Sequence, residues 1–140
     1  MVEQKKQAIS RRGLDATFVE AESKKSNLIL KANLLKAQGQ YQEAADCFAE
    51  AAQIEERLSE ILMQQNLGKY FIHRFSALSC WAQAGNVYQA IVMGEELLTN
   101  PKLPKRLRQR VQEYIKLVRS RRECWFTQFV PEMTTVAPSS

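Results

Sequence analysis

His73 and Cys80, in the stretch FIHRFSALSC, are the residue types from which a base and a nucleophile are made. A histidine activates a thiol only when the two side chains lie within hydrogen-bond reach. Seven residues along one helix are two turns, too far for that contact. His73 is the only histidine in the chain, and its neighbours Phe71, Ile72 and Phe75 are residues that pack. The expectation is a packed or hydrogen-bonded imidazole rather than a catalytic base.

The other chemistries fare no better. Cys47, Cys80 and Cys124 are widely spaced and contain no CxxC pair, so they read as small packing groups in a reducing compartment. A zinc site needs four ligands at suitable spacing, which one histidine and scattered cysteines do not supply. Glu55-Glu56 and Glu95-Glu96 are sequence neighbours on helices, about 100° apart, and do not converge on one point. No GxGxxG or GxxxxGK[ST] is present to cradle a phosphate. A protein without catalytic residues, cofactor or metal is expected, and therefore not an enzyme.

Whatever these residues do, helices must position them. The 140 residues hold only 5 glycines and 4 prolines, with three of the prolines at or beyond position 104. So few breakers predict an all-α chain. Gly13 and Asp15 suit a stop and an N-cap. From there to Gln38, Phe18, Ala21, Leu28, Ile29, Ala32 and Leu35 share one side of a 3.6-residue wheel. SKKSN at 23–27 leaves open whether this is one helix or two. After Gly39 a second stripe, Tyr41, Ala44, Phe48, Ala51, Leu58 and Leu62, runs to about Asn66, and Leu67-Gly68 reads as its stop. A third helix fits Lys69 to Ala84, with Phe71, Phe75, Leu78 and Trp81, and Gly85-Asn86 ends it. A fourth runs from Val87 to about Thr99, closed by Asn100-Pro101. Pro104 suits the first turn of a last helix, in which Leu107, Val111, Tyr114, Ile115, Val118 and Trp125 share a face. Residues 1–129 read as a single domain of about five helices in antiparallel pairs, and 130–140 as a disordered tail.

No run approaches the ~20 apolar residues that span a bilayer. MVEQKKQAISRRG lacks the apolar core of a secretory signal, so the cytoplasm is the expected setting and no membrane is expected as partner. The net charge of +5 is unevenly spread. Residues 1–70 hold 10 basic and 10 acidic side chains, whereas residues 71–140 hold 10 against 5. Lys102 to Arg122 carries nine basic residues against Glu113, and Tyr41 to Glu60 carries six acids against Arg57.

The stretch KAQGQYQEAADCFAEAA, residues 36–52, shows how two helices meet. Gly39 ends one helix in the left-handed conformation, and the next turns back at once. Ala32 and Ala44 remove bulk where the axes approach, and Phe48 fills the space beyond. This arrangement resembles a tetratricopeptide repeat. Leu28, Lys31, Ala32 and Leu35 take the first-helix positions of that pattern, Ala44 and Phe48 match its A-x3-F, and Gly39, Tyr41 and Ala51 fit common choices. A second unit follows 46 residues later with Leu78, Trp81, Gly85 and Ala90. It departs at Arg74, where a tryptophan belongs, and at Gly94, where an aromatic belongs. Because the family spacing is 34, the second helix of the first unit must be about three turns longer. The pattern covers roughly residues 26–101.

The resemblance implies a right-handed stack of helix pairs with a C-terminal capping helix, whose inner groove is lined by the first helix of each pair. Ile29, Asn33 and Lys36 would line it from the first unit, and Ile72, Phe75, Ser79 and Gln83 from the second. Such a groove suits an extended peptide or a helix of another protein, with Asn and Gln bonding its backbone and Phe and Ile taking apolar side chains. The implied function is an adaptor or chaperone-like interaction module. One subset of the family grips a C-terminal carboxylate; Asn33 matches it, but Ile29 stands where a lysine is needed and Ser76 where an asparagine is needed. A second reading is a homo-oligomer, with the acidic residues Glu43, Asp46, Glu50, Glu55, Glu56 and Glu60 pairing with the basic helix of another copy. A third is nucleic acid held by Lys105, Arg106, Arg108, Arg110, Lys116, Arg119, Arg121 and Arg122. Those eight spread over more than half of the helix circumference, and Tyr114 and Trp125 fall on the apolar face. Nucleic acid is therefore the weakest reading.

Overall fold

The computed structural model describes the backbone of residues 16–129 and the side chains of residues 16–121. The expected N-cap at Asp15, the tail at 130–140, and the side chains of Arg122, Cys124 and Trp125 lie outside the described residues. Every element is helical: α1 (Ala16–Ala37), α2 (Tyr41–Leu62), α3 (Leu67–Gln83), α4 (Val87–Leu98) and α5 (Lys105–Phe129). The chain divides into two compact units at Asn86 and Val87, with α1–α3 in the first and α4–α5 in the second.

Glycine sets two of the turns. Gly39 adopts φ 80° and Gly85 φ 90°, the left-handed region open to a residue without Cβ. Both close the preceding helix in the same way. Gln40 N–H donates to Leu35 O at 2.9 Å and Gly39 N–H to Lys36 O at 3.0 Å. Asn86 N–H donates to Trp81 O at 2.9 Å and Gly85 N–H to Ala82 O at 3.0 Å. These are paired Schellman bonds that satisfy the last carbonyls of α1 and α3.

Leu67-Gly68 is not a stop. The second helix ends at Leu62, and Asn66 caps the start of α3 by accepting from Lys69 N–H. The glycine lies in the first turn of α3, where the Asn66 side chain does the ordering. The sequence SKKSN does not break α1 either: burial of Phe18 at one end and Ala32 at the other holds 22 residues in one helix. Pro104 stands one residue before α5, its carbonyl accepting from Arg108 N–H at 2.8 Å.

In the first unit α2 is the central helix, packed against α1 on one side and α3 on the other. It buries Ala44, Cys47, Phe48, Ala51, Ala52, Ile54, Leu58 and Leu62. Phe18 joins Ile54, Leu58 and Leu62 near one end. Ala32 meets Cys47 and Phe48 near the other, with Leu28, Ile29, Leu35 and Ala84 against them. The alanines do what the sequence requires, bringing helix axes close enough for Phe48 to be enclosed. Tyr41 is the exception in its stripe and is exposed. It begins α2, where no neighbouring turn covers it. In the second unit α4 and α5 pack on each other. Its buried residues include Ala90, Met93, Leu97, Leu103, Val111, Ile115 and Val118.

Candidate functional site

Helices α1 and α3 both pack on α2 and approach one another at only a few side chains, along a line that forms a seam. Glu22 Oε2 lies 3.7 Å from His73 Nε2, the Phe18 ring meets His73, and Ile29 and Trp81 both pack against the cluster of Ala51, Ala52 and Cys80. Of the residues expected to line a groove, Asn33 and Lys36 are exposed on α1, and Ile72 and Gln83 on α3. Phe75 and Ser79 are half-buried. Ile29 is spent on packing inside the seam, against two of the clusters of the first unit. Ile72 is 56% exposed. Helical spacing places Ser76, Ser79 and Gln83 around it, while Phe75 shares the side of α3 that carries the buried Phe71 and Leu78.

Beneath the seam is a charged layer drawn from all three helices. Glu55 of α2 is 1% exposed, yet it carries a carboxylate. Its Oε1 lies 2.5 Å from His73 Nδ1 of α3, and its Oε2 lies 3.2 Å from Lys25 Nζ of α1. A carboxylate only accepts, so Nδ1–H donates and the tautomer is set by Glu55. The edge of Phe18 covers the imidazole, with ring centroids 6.1 Å apart. Beside this layer Trp81 Nε1–H donates to Glu56 Oε2 at 2.5 Å, and Ser59 Oγ–H donates to the Glu56 carbonyl at 2.7 Å. Arg74 Nη1 reaches Ser59 Oγ at 3.5 Å.

A histidine oriented by a buried carboxylate is half of a hydrolytic triad, so its surroundings decide what it can do. Its second nitrogen faces another carboxylate, that of Glu22, rather than a described hydroxyl or thiol. Cys80 is no substitute. Burial, reinforced by the Glu55 carboxylate and opposed by the Lys25 ammonium, pushes its thiol from 9.0 up to about 12. Cys80 is thus a neutral packing group at physiological pH. Cys47 is likewise free and buried. Among the described residues no three His, Cys, Asp or Glu side chains group as a metal site. The layer acts as a bridge between helices: each charge is compensated by a partner on another helix.

Sequence reading counted Glu55 and Glu56 with the solvent-facing acids of α2. The structure removes Glu55, which stands seven residues from Phe48 and from Leu62, and four from Ala51, on the buried side, and it engages the half-buried Glu56 with the Trp81 indole. That spacing was the available signal. Glu43, Asp46, Glu50 and Glu60 remain exposed, and Glu50 pairs with Lys24 at 3.5 Å. The basic helix is also partly engaged. Arg108 donates to Leu98 O at 2.6 Å and to Asn100 O at 2.7 Å, capping the end of α4. Arg119 pairs with Glu95, and Arg110 has a partner of its own. Lys105, Arg106, Lys116 and Arg121 are exposed, and Arg122 is described only in its backbone. Tyr114 is half-buried.

A surface that the sequence reading passed over lies on the outer side of α1. Val19, Leu30 and Leu34 are exposed there, with Leu30 at 60% and Leu34 at 56%. Their spacing of 11 and 4 residues puts them on one face, opposite Phe18 and Ala32. The helix is apolar on two sides, so the stripe that packs inward masked the one that does not.

No family model matches this chain, and no curated protein or solved structure matches it. No described helix is long and apolar enough to cross a membrane.

Proposed function

We propose that this protein is a non-enzymatic interaction module, tetratricopeptide-like in its helix pairing, that takes an extended peptide or a helix of another protein along the seam between α1 and α3. The observation that carries this reading is the exposed Ile72 at the margin of the seam. An isoleucine left in solvent beside Ser76 and Ser79, with Gln83 about three turns further along its own helix and Asn33 on the neighbouring one, offers an apolar anchor and amide donors and acceptors that one extended ligand would meet in turn. The charged layer below keeps α1 and α3 in fixed relation, so the surface is preorganised. Two buried free thiols suit a cytoplasmic setting.

The test is selection of peptides on the immobilised full-length protein, followed by titration calorimetry of the best binder. Ile72→Glu and Asn33→Ala are expected to weaken that peptide at least ~10-fold, about 1.4 kcal/mol. Replacing Arg119, Arg121 and Arg122 together by Gln is expected to leave it unchanged. Peptides that bind all variants equally would refute the seam as the binding surface. Dependence on the three arginines instead, with affinity falling steeply in salt, would transfer the function to the basic helix.

A further inference from the structure

Six charged side chains belong to α1, and none falls on its outer face. Glu22, Lys25 and Lys36 lie on the inner side of the wheel, while Glu20, Lys24 and Lys31 form one flank. Between them runs a sector of about 120° holding Val19, Ser23, Ser26, Asn27, Leu30, Leu34 and Ala37, all exposed. A solvated helix face without a charge over 22 residues, carrying three large apolar side chains, is a face made to be covered.

The order of residues along this face says by what. Set against its own copy in antiparallel sense, with the two-fold axis between Ser26 and Asn27, α1 meets itself in complementary pairs. Leu30 falls opposite Ser23 of the second copy, and Leu34 opposite Val19. The large side chain enters the gap left by the small one, twice by symmetry. The parallel alternative sets Ser against Ser and Leu against Leu, leaving voids between bulges. The flank makes the same choice. Antiparallel pairing sets like flanks side by side and brings Glu20 within two residues of direct opposition to Lys31 of the second copy, whereas parallel pairing sets this flank against the opposite, Asn33-bearing edge of the second copy and forfeits the pair. Lys24, which also approaches that Lys31, is neutralised within its own chain by Glu50 at 3.5 Å.

We propose that the outer face of α1 is a homodimerisation surface, occupied by the α1 helix of a second copy in antiparallel orientation. It is separate from the seam side of α1 and independent of the function proposed there. One helix pair about 33 Å long gives a small interface, so the dimer belongs to the weak, reversible class.

Sedimentation equilibrium of the full chain, from about 1 to 500 µM, reads it directly. A monomer–dimer equilibrium is expected that survives about 0.5 M NaCl, because the contact is mainly apolar. Leu30→Glu is expected to weaken it at least ~10-fold, while helical circular dichroism stays unchanged because the position is solvent-facing. Orientation is read by oxidative cross-linking in a background with Cys124→Ser. Ser26→Cys, beside the two-fold axis, should give a covalent dimer, and Val19→Cys, far from its own copy, should not. A monomer at every concentration, a dimer indifferent to Leu30→Glu, or cross-linking at position 19 in preference to 26 would each overturn the proposal. So would a dimer that salt abolishes, since that would mean pairing of acidic and basic helices.

Discussion

Cys80 sits where burial and the Glu55 carboxylate both disfavour a thiolate, with only Lys25 opposing them. The folded protein holds this proton up to about 12, while the unfolded chain releases it near 9.0. Below pH 9 both forms keep the proton and the difference has no effect. As pH rises from 9 towards 12 the unfolded chain alone ionises, and stability falls by at most ~1.4 kcal/mol per pH unit from this group. Urea midpoints measured near pH 8 and pH 10 should therefore drop further in the wild type than in Cys80→Ala. Equal drops would show that the thiol does not carry the effect. The partners behind it were only half legible in the sequence. His73 stands among aromatics that must pack, which marks it as buried. Glu55 looked like one acid of an acidic run, because its charge drew attention from its spacing to Phe48, Ala51 and Leu62. A buried charge is legible only when its position on the wheel is weighed before its residue type.

At the level of the helices, local signals differ in what they specify. Gly39 and Gly85 mark ends correctly because their conformation is one that other residues enter only with strain. Gly68 carries no such information, since it sits in an ordinary first turn and the boundary belongs to the Asn66 side chain. The two kinds of terminus can be told apart by substitution. Space around Gly39 is open, with nothing within 4 Å of an added Cβ, so Gly39→Ala costs only backbone strain, ~1–2 kcal/mol. Gly68→Ala meets only Asn66 Oδ1 at 3.5 Å, an ordinary contact, and should be nearly neutral. Asn66→Ala should cost ~1 kcal/mol through the lost cap. Chemical denaturation of the three variants checks the order, and a Gly68→Ala loss as large as that of Gly39→Ala would contradict it. The continuity of α1 was beyond local reading, because SKKSN is polar enough to break a helix. Only the burial of Phe18 and Ala32 on either side, a tertiary effect, keeps it whole.

At the scale of the whole molecule, the described residues of the two units differ in how much they bury, the first burying more. Helix α2 alone contributes ten buried residues to the first. Native-state hydrogen exchange followed by mass spectrometry should find the slowest amides at Phe48–Leu62, with α4 opening at a lower free energy. Uniform protection across both would mean that they unfold as one. The sequence conveyed the all-helical class and the number of elements, because stripes and turns are local. It did not convey where the chain divides, which depends on how contacts distribute among helices already formed.

The charged layer of the first unit has a further consequence. The core of this unit mixes five alanines and two cysteines with larger residues, and where the small side chains meet they present little relief against sliding of one helix along another. A slip of one turn, about 5.4 Å, would strip Glu55 of both Lys25 and His73 while leaving most apolar burial in place. The ions thus act as an index mark for axial alignment, contributing uniqueness where shape complementarity is shallow. In descent the positions are bound together: loss of Lys25 or of Glu55 leaves its partner's charge uncompensated, so lineages should exchange that pair as a set or keep both.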